Sequence, residues 1–195
     1  VSSAASDVYK RQQENSTTGQ FIGSLSGLDP DFGSTFSFAL ASGNGFNDAD
    51  NSLVEIFGNQ VRVRSGAVID YETNSALDIN IQVTDNGGLS LTKSFSLNVL
   101  NVNEAPTSLN LLSSGIQENS PSGALIGTLS AMDPDAGSTF SFALVSGNGA
   151  NDIDNSLVFL NGNQVFIKSG ALDFESNPVL DLNVQVADNG NPGLS

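Results

Sequence analysis

Neither cysteine nor histidine occurs anywhere in the 195 residues. Their absence removes thiol nucleophiles, Ser-His-Asp triads, disulfide staples and the usual zinc ligands together. Tryptophan is also missing, and basic residues number only 6 against 21 acidic ones. The formal charge of −15 therefore sits on a surface that repels nucleic acid and anionic lipid, both of which need Lys or Arg against phosphate. Such a surface attracts cations, although acidic residues also serve solubility. No apolar run reaches the roughly 18 residues that span a bilayer, and no apolar signal-peptide core is visible. This fragment is not expected to insert into a membrane, and any export signal or anchor is expected outside it. A hydrophobic content of 38%, with 12 Phe carrying most of the aromatic load, supports packed cores and argues against wholesale disorder. Asn, Ser, Gly and Asp without Cys suit a surface protein stabilised by metal.

The chain repeats itself. Glu14-Asn15-Ser16 returns as Glu118-Asn119-Ser120, and Asp29-Pro30-Asp31 through Phe36-Ser37-Phe38-Ala39-Leu40 returns as Asp133-Pro134-Asp135 through Phe140-Ser141-Phe142-Ala143-Leu144. Ser42-Gly43-Asn44-Gly45 matches Ser146-Gly147-Asn148-Gly149, and Asn47-Asp48-Ala49-Asp50-Asn51 matches Asn151-Asp152-Ile153-Asp154-Asn155. Later blocks slip by a residue or two: Asp70-Tyr71-Glu72 pairs with Asp173-Phe174-Glu175, and Asp85-Asn86-Gly87 with Asp188-Asn189-Gly190. A period of about 104 residues means two copies of one domain.

Within a copy the apolar residues alternate with polar ones at the period of a strand. Phe36, Phe38 and Leu40 share one face; so do Leu77, Ile79, Ile81 and Val83, and Phe95, Leu97 and Val99. Gly58-Asn59 and Gly162-Asn163 stand between shorter runs and predict tight hairpin turns. No window carries a helical stripe. The pattern predicts an all-β chain of tandem immunoglobulin-like Greek-key β-sandwiches, about seven strands each, placed end to end with a short linker. Residues 1–13 show neither alternation nor similarity to the repeat, and read as a cloning or sequence-assembly junction. The boundaries expected are 14–100 for a first repeat without its first strand, 101–106 for the linker, and 107–195 for a second repeat without its last strand. A strand less leaves an exposed edge and a weaker core.

The repeated acidic residues fall at turns and strand ends. They are Glu14, Asp29, Asp31, Asp70, Glu72 and Asp85 in the first copy, and Glu118, Asp133, Asp135, Asp173, Glu175 and Asp188 in the second. Between the copies runs Asn101-Val102-Asn103-Glu104-Ala105-Pro106, rich in side-chain oxygen. Hard cations such as calcium take six to eight oxygens from carboxylates and carbonyls. Asp-x-Asp and Asp-x-Glu on an extended chain put both side chains on one face.

Taken together, these motifs resemble the cadherin repeat, in particular the bacterial cadherin-like repeats of large surface adhesins, over nearly the whole chain after residue 13. The resemblance implies Ca2+ at the junction, held by Glu14, Asp70 and Glu72 of the first repeat, Asn101, Asn103 and Glu104 of the linker, and Asp133, Asp135 and Asp188 of the second. Asn148 is a weaker candidate, through its backbone carbonyl. Asp29, Asp31 and Asp85 would serve a preceding repeat; Glu118, Asp173 and Glu175 a following one. Asn101 replaces the family's usual Asp, and the linker is one residue shorter than the commonest animal form.

The implied function is calcium-dependent stiffening of an extracellular repeat array for adhesion or surface extension. Its partners would be neighbouring repeats of the same chain, with homophilic or cell-surface and glycan contacts beyond them. The expected location is the cell surface, with anchoring to a membrane or envelope by other parts of the parent protein. Two other classes remain open at this point. A carbohydrate-binding module would want exposed aromatic platforms, for which the repeats offer only Tyr71. A carboxylate-pair glycosidase fits poorly with acidic residues at domain ends in both copies, so no enzyme is expected. The Asn-Asp-x-Asp-Asn loops at 47–51 and 151–155 read either as separate cation loops or, more simply, as solvated turns.

Overall fold

The computed structural model describes residues 4–5, 11–168, 172–190 and 193–195. It divides into two compact units, Val1–Val102 and Asn103–Ser195, and the division falls inside the oxygen-rich linker. Both units are all-β. Among the described residues, no helix is long and apolar enough to cross a membrane.

In unit 1 the strands are β1 (Ala4–Ala5), β2 (Arg11–Gln13), β3 (Phe21–Ser24), β4 (Gly27–Leu28), β5 (Phe36–Leu40), β6 (Val54–Phe57), β7 (Gln60–Val63), β8 (Ala76–Asp85) and β9 (Ser90–Leu100). One sheet runs β2-β9-β8-β5 and the other β3-β7-β6, with β1 paired to β4. Alternation decides which side chains face inward. Leu77, Ile79, Ile81, Phe95, Leu97 and Val99 meet Ile22, Leu25, Val54, Val61, Val63 and Ile69 in one buried cluster. Phe38 and Leu40 pack against its rim. The β6–β7 hairpin closes through Gly58, whose φ of 61° is the left-handed conformation that a two-residue turn requires and glycine adopts without strain.

Two short strands fall within residues 1–13, where no alternation was visible: β1 pairs antiparallel with β4, and β2 runs parallel to β9 with Gln13 opposite Leu100. Backbone pairing needs no apolar alternation, so the polar run Arg11-Gln12-Gln13 gave no strand signal. Gln12 is nonetheless buried, and its amide donates to the Ser16 hydroxyl. The remainder of the 1–13 leader, residues 1–3 and 6–10, lies outside the described residues.

Unit 2 contains β10 (Ser108–Ser113), β11 (Leu125–Met132), β12 (Ser141–Leu144), β13 (Val158–Asn161), β14 (Gln164–Ile167) and β15 (Val184–Ala187). One sheet runs β10-β11-β14-β13, and β12 pairs with β15. Among the described residues, no strand follows β15. Its buried cluster is smaller: Ile126, Leu129, Val158, Val165, Ile167 and Leu172.

The Asn/Asp loops at 42–51 and 146–155 prove to be hydrogen-bonded scaffolds. Gly43 and Gly45 N–H donate to the two Asp48 oxygens at 2.8 and 2.7 Å, and Gly147 and Gly149 do the same to Asp152. Asp154, buried at 6% exposure, accepts the Asp181 N–H and the Asn177 amide, both at 2.9 Å. Asp50 holds Asp78 and Asn74 in the same way. The Asn148 side chain accepts from Ala150 and Asn151 N–H within its own loop.

The Gly43 and Gly45 donors hold the Asp48 carboxyl below its ordinary range. Because the folded value lies below the unfolded one, about 3.9, the carboxylate contributes stability in full above that pH. The contribution fades as the pH falls through the folded value. Asp48→Asn is expected to flatten this part of the acid limb, measured as unfolding midpoint against pH between about 2 and 5.

Candidate metal centre

The carboxylates of each unit collect where strands end. In unit 1, β8 carries ten residues, a rise of about 33 Å, and separates two sets. Before its start lie Glu14, Asp70 and Glu72; at its far end lie Asp29, Asp31 and Asp85. The near set is held by backbone donors. Glu14 is 3% exposed, accepts the Tyr71 N–H at 2.8 Å through Oε2, and accepts the Val102 N–H through Oε1. Asn15 takes a φ of 54° at this point and donates its N–H to the Ile69 carbonyl, turning the chain from β2 towards β3. Asp70 caps its own turn by accepting the Thr73 N–H at 3.1 Å. The Asn101 amide donates to Glu72 at 3.1 Å. An Asp at 101 could not make that bond, because a carboxylate has no hydrogen to donate. Oxygens of Glu14 and Glu72 lie within 4.8 Å of one another.

At the far end, Asp29 accepts the Asp31 N–H at 2.8 Å and the Ser34 hydroxyl at 3.3 Å. Asp85 accepts the Leu89 N–H at 2.9 Å.

Unit 2 reproduces both sets. Asp133 Oδ1 accepts the Asp135 N–H at 2.9 Å and the Ser138 hydroxyl at 3.1 Å. Asp135 Oδ2 accepts the Glu104 N–H at 2.7 Å. Asp188, 8% exposed, accepts Gly190 N–H at 2.8 Å, Leu194 N–H at 3.0 Å and the Asn103 amide at 3.0 Å. Burial opposes its charge, but the Leu194, Gly190 and Asn103 donors outweigh that and keep the Asp188 carboxyl below the usual range. It is an anion at neutral pH. The other set, Glu118, Asp173 and Glu175, is exposed, with carboxylate oxygens all within 4.8 Å of one another. Glu118 accepts the Phe174 N–H at 3.3 Å, mirroring Glu14 with Tyr71, and Asn119 repeats the positive φ of Asn15. Asp173 is held below the ordinary carboxylate range by the Ser176 hydroxyl first, then by Glu175.

One oxygen tests whether a hard cation suits these residues. Asp133 Oδ2 is buried and has no hydrogen-bond partner among the described residues. A buried carboxylate oxygen left so is costly unless a cation or water engages it. The donor set around it is all oxygen, with carboxylates and amides but no sulfur or imidazole. That chemistry fits calcium.

Hydrogen bonds link Asn101 to Glu72 in unit 1, and Asn103 to Asp188, Glu104 to Asp135 and Asp135 to Asp133 in unit 2; Asp70 bonds only within its own turn among the described residues. Motif reading missed Gly190. A Cβ built there would lie 1.7 Å from Asn103 Oδ1, so only glycine admits that side chain beside Asp188. Recurrence of Asp-Asn-Gly at 85–87 and 188–190 was the available signal. Gly190→Ala is expected to expel the Asn103 amide from Asp188 and weaken calcium binding several-fold, as read by calorimetric titration, with little change in the rest of unit 2. Ser34 and Ser138, and the N–H groups of Tyr71 and Val102, were likewise missed; the backbone donors leave no trace in residue identity.

No family model matches the chain. Human and chimpanzee (Pan troglodytes) protocadherin gamma-C4 are each 30% identical to it over 189 residues, covering 93% of this chain and 20% of theirs. The chain therefore spans about a fifth of the length of these curated relatives. Among solved structures, the protocadherin GammaB4 extracellular domain matches with a TM-score of 0.56 at 25% identity, covering 98% of this chain and 31% of that one. Human protocadherin-24 EC1-2 matches with a TM-score of 0.66 at 17% identity, covering 93% and 84%.

Proposed function

Since this chain belongs to the cadherin-repeat family, we propose that it is a calcium-clamped segment of an extracellular adhesive array. Residues 14–100 and 107–195 would be successive repeats, and 101–106 their ligating linker. Glu14, Asp70, Glu72, Asn101, Asn103, Glu104, Asp133, Asp135 and Asp188 would hold the metal. Asp29, Asp31 and Asp85, and Glu118, Asp173 and Glu175, would be half-sites for further repeats. Bound calcium supplies positive charge and six to eight oxygen positions. Carboxylates contributed from both sides of the linker repel one another without it, so the two repeats are free to swing. With it the same residues restrain the linker.

The single observation that carries this reading is the buried Oδ2 of Asp133, unpartnered among the described residues, within a set of hydrogen-bonded carboxylates. The role is one of binding and mechanical restraint rather than catalysis. In a parent protein fixed to a membrane or envelope elsewhere, a stiffened array would hold out an adhesive surface, including one for a second copy. The relatives and solved structures above are all cadherin proteins, which gives a carbohydrate-binding module no support. Tyr71, 37% exposed, is the only tyrosine of the repeats.

Calorimetric titration of the chelator-stripped chain tests the proposal. Binding heat is expected at dissociation constants of about 0.1–1 mM, the range of extracellular modules, with small-angle scattering showing a longer particle that EDTA shortens. No heat at millimolar calcium, and a shape indifferent to chelator, would remove the metal from the account.

A further inference from the structure

Five asparagines of the chain stand directly before glycine: Asn44, Asn86, Asn148, Asn161 and Asn189. In such a pair the main-chain nitrogen of the glycine can attack the side-chain Cγ and close a five-membered ring, because no Cβ stands in its way. Ring closure asks three things of the fold: an N–H free to lose its proton, a side chain open to water, and a backbone able to turn about the Cα–C bond. Four of the five pairs fail one of these. The Gly45 and Gly149 N–H groups donate to the carboxylates of Asp48 and Asp152 at 2.7 and 2.8 Å, and Gly190 donates to Asp188 at 2.8 Å. A carboxylate in that place opposes loss of the proton, since like charge disfavours an amide anion. The Asn44 and Asn148 side chains are also pinned, each accepting two N–H groups of its own loop. Asn161 is the last residue of β13 and pairs with Gln164. Closing the ring eclipses Cβ with the next nitrogen, far from the ψ of about +135° of an antiparallel strand, so it would break that pair.

Asn86 meets all three conditions. It lies just past the end of β8, in the exposed turn that leads to β9. Asp85 closes that turn: its carbonyl accepts the Gly88 N–H at 3.2 Å and its carboxylate the Leu89 N–H at 2.9 Å. The Gly87 N–H between them has no acceptor among the described residues. The Asn86 side-chain oxygen accepts the Thr35 N–H at 3.3 Å, a donor placed where negative charge develops as Cγ is attacked.

We propose that Asn86 is a site of spontaneous deamidation, selected from the five pairs by the fold. The Gly87 nitrogen bonds to Cγ, the bond from Cγ to the side-chain nitrogen breaks, and ammonia leaves with the proton that Gly87 gives up. One water then opens the cyclic imide. Opening at Cγ yields aspartate; opening at the main-chain carbonyl yields isoaspartate, with one methylene more in the backbone. Either product adds a negative charge next to Asp85. Aspartate keeps an acceptor for the Thr35 N–H, whereas isoaspartate lengthens the turn that Asp85 closes.

The test ages the full chain at mildly alkaline pH, both folded and in urea, and follows each asparagine by peptide mapping, with isoaspartate methyltransferase labelling to locate the longer product. In the folded chain Asn86 is expected to react at least tenfold faster than Asn44, Asn148, Asn161 and Asn189, and in urea the five are expected to converge. Gly87→Ala is expected to slow Asn86 at least tenfold. The added Cβ meets only the end of the Asp85 side chain, at 3.2 Å, and circular dichroism checks that the variant is folded. Equal rates at the five sites in the folded chain, or a faster reaction at another of them, overturns the proposal. So does an Asn86 that reacts in urea but not when folded. A lead that persists undiminished in urea overturns it too, because the selection would then lie in the neighbouring residues and not in the fold.

Discussion

Millimolar calcium is expected to raise the melting temperature of this chain, and the paired substitution Asp133→Asn/Asp135→Asn to abolish that rise. The magnitude follows from linkage. One ion at tenfold excess over its dissociation constant adds about 1.4 kcal/mol, which for a domain of this size is on the order of 5–10 °C. Several coupled ions would multiply it. The two substitutions keep the local frame, because an amide oxygen still accepts the Asp135 and Glu104 N–H groups that now bind these aspartates. They remove two charges and replace the orphaned Oδ2 of Asp133 with an amide NH2, a donor that cannot ligate a cation. In EDTA the variant should melt no lower than the parent, since like-charge repulsion has been relieved. Differential scanning calorimetry with and without calcium reads both effects. A variant that still gains the full increment would show that Asp133 and Asp135 are only turn residues.

Leu77→Ala is expected to cost unit 1 about 2–5 kcal/mol, while Leu180→Ala, at the matching position, costs unit 2 only about 1 kcal/mol. Leu77 is fully buried beneath β9, so its loss leaves a cavity that the surrounding strands cannot close. Leu180 already borders an open groove, and the atoms removed are partly in water. Denaturant unfolding, resolved by hydrogen exchange in each unit, separates the two costs. Equal losses would mean that unit 2 buries Leu180 as completely as unit 1 buries Leu77.

Much of this was readable from the amino acids. Strand period, turn residues and the two-fold recurrence placed the strands at Phe36–Leu40, around Leu77–Val83 and around Phe95–Val99. They also marked Gly58 and Gly162 as hairpin turns. The failure at Arg11–Gln13 has a physical origin: that strand is defined by backbone pairing to β9, and three polar side chains carry no trace of it. The loops at 47–51 and 151–155 were ambiguous for a related reason. Carboxylates that bind a cation and carboxylates that accept N–H groups have the same identity and spacing. Only geometry separates Asp48 and Asp154, bonded to backbone donors, from Asp133, which has one oxygen left over.

By itself, then, the residue order determined the all-β class, the repeat, the inward faces and the acidic residues worth suspecting, because each is a local property of alternation or recurrence along the chain. Tertiary structure alone decided that Glu14 is buried against Tyr71 and Val102, and that Gly190 must lack a side chain for Asn103 to reach Asp188. These depend on which distant segments meet, and no local pattern encodes a meeting between residues 57 or more positions apart.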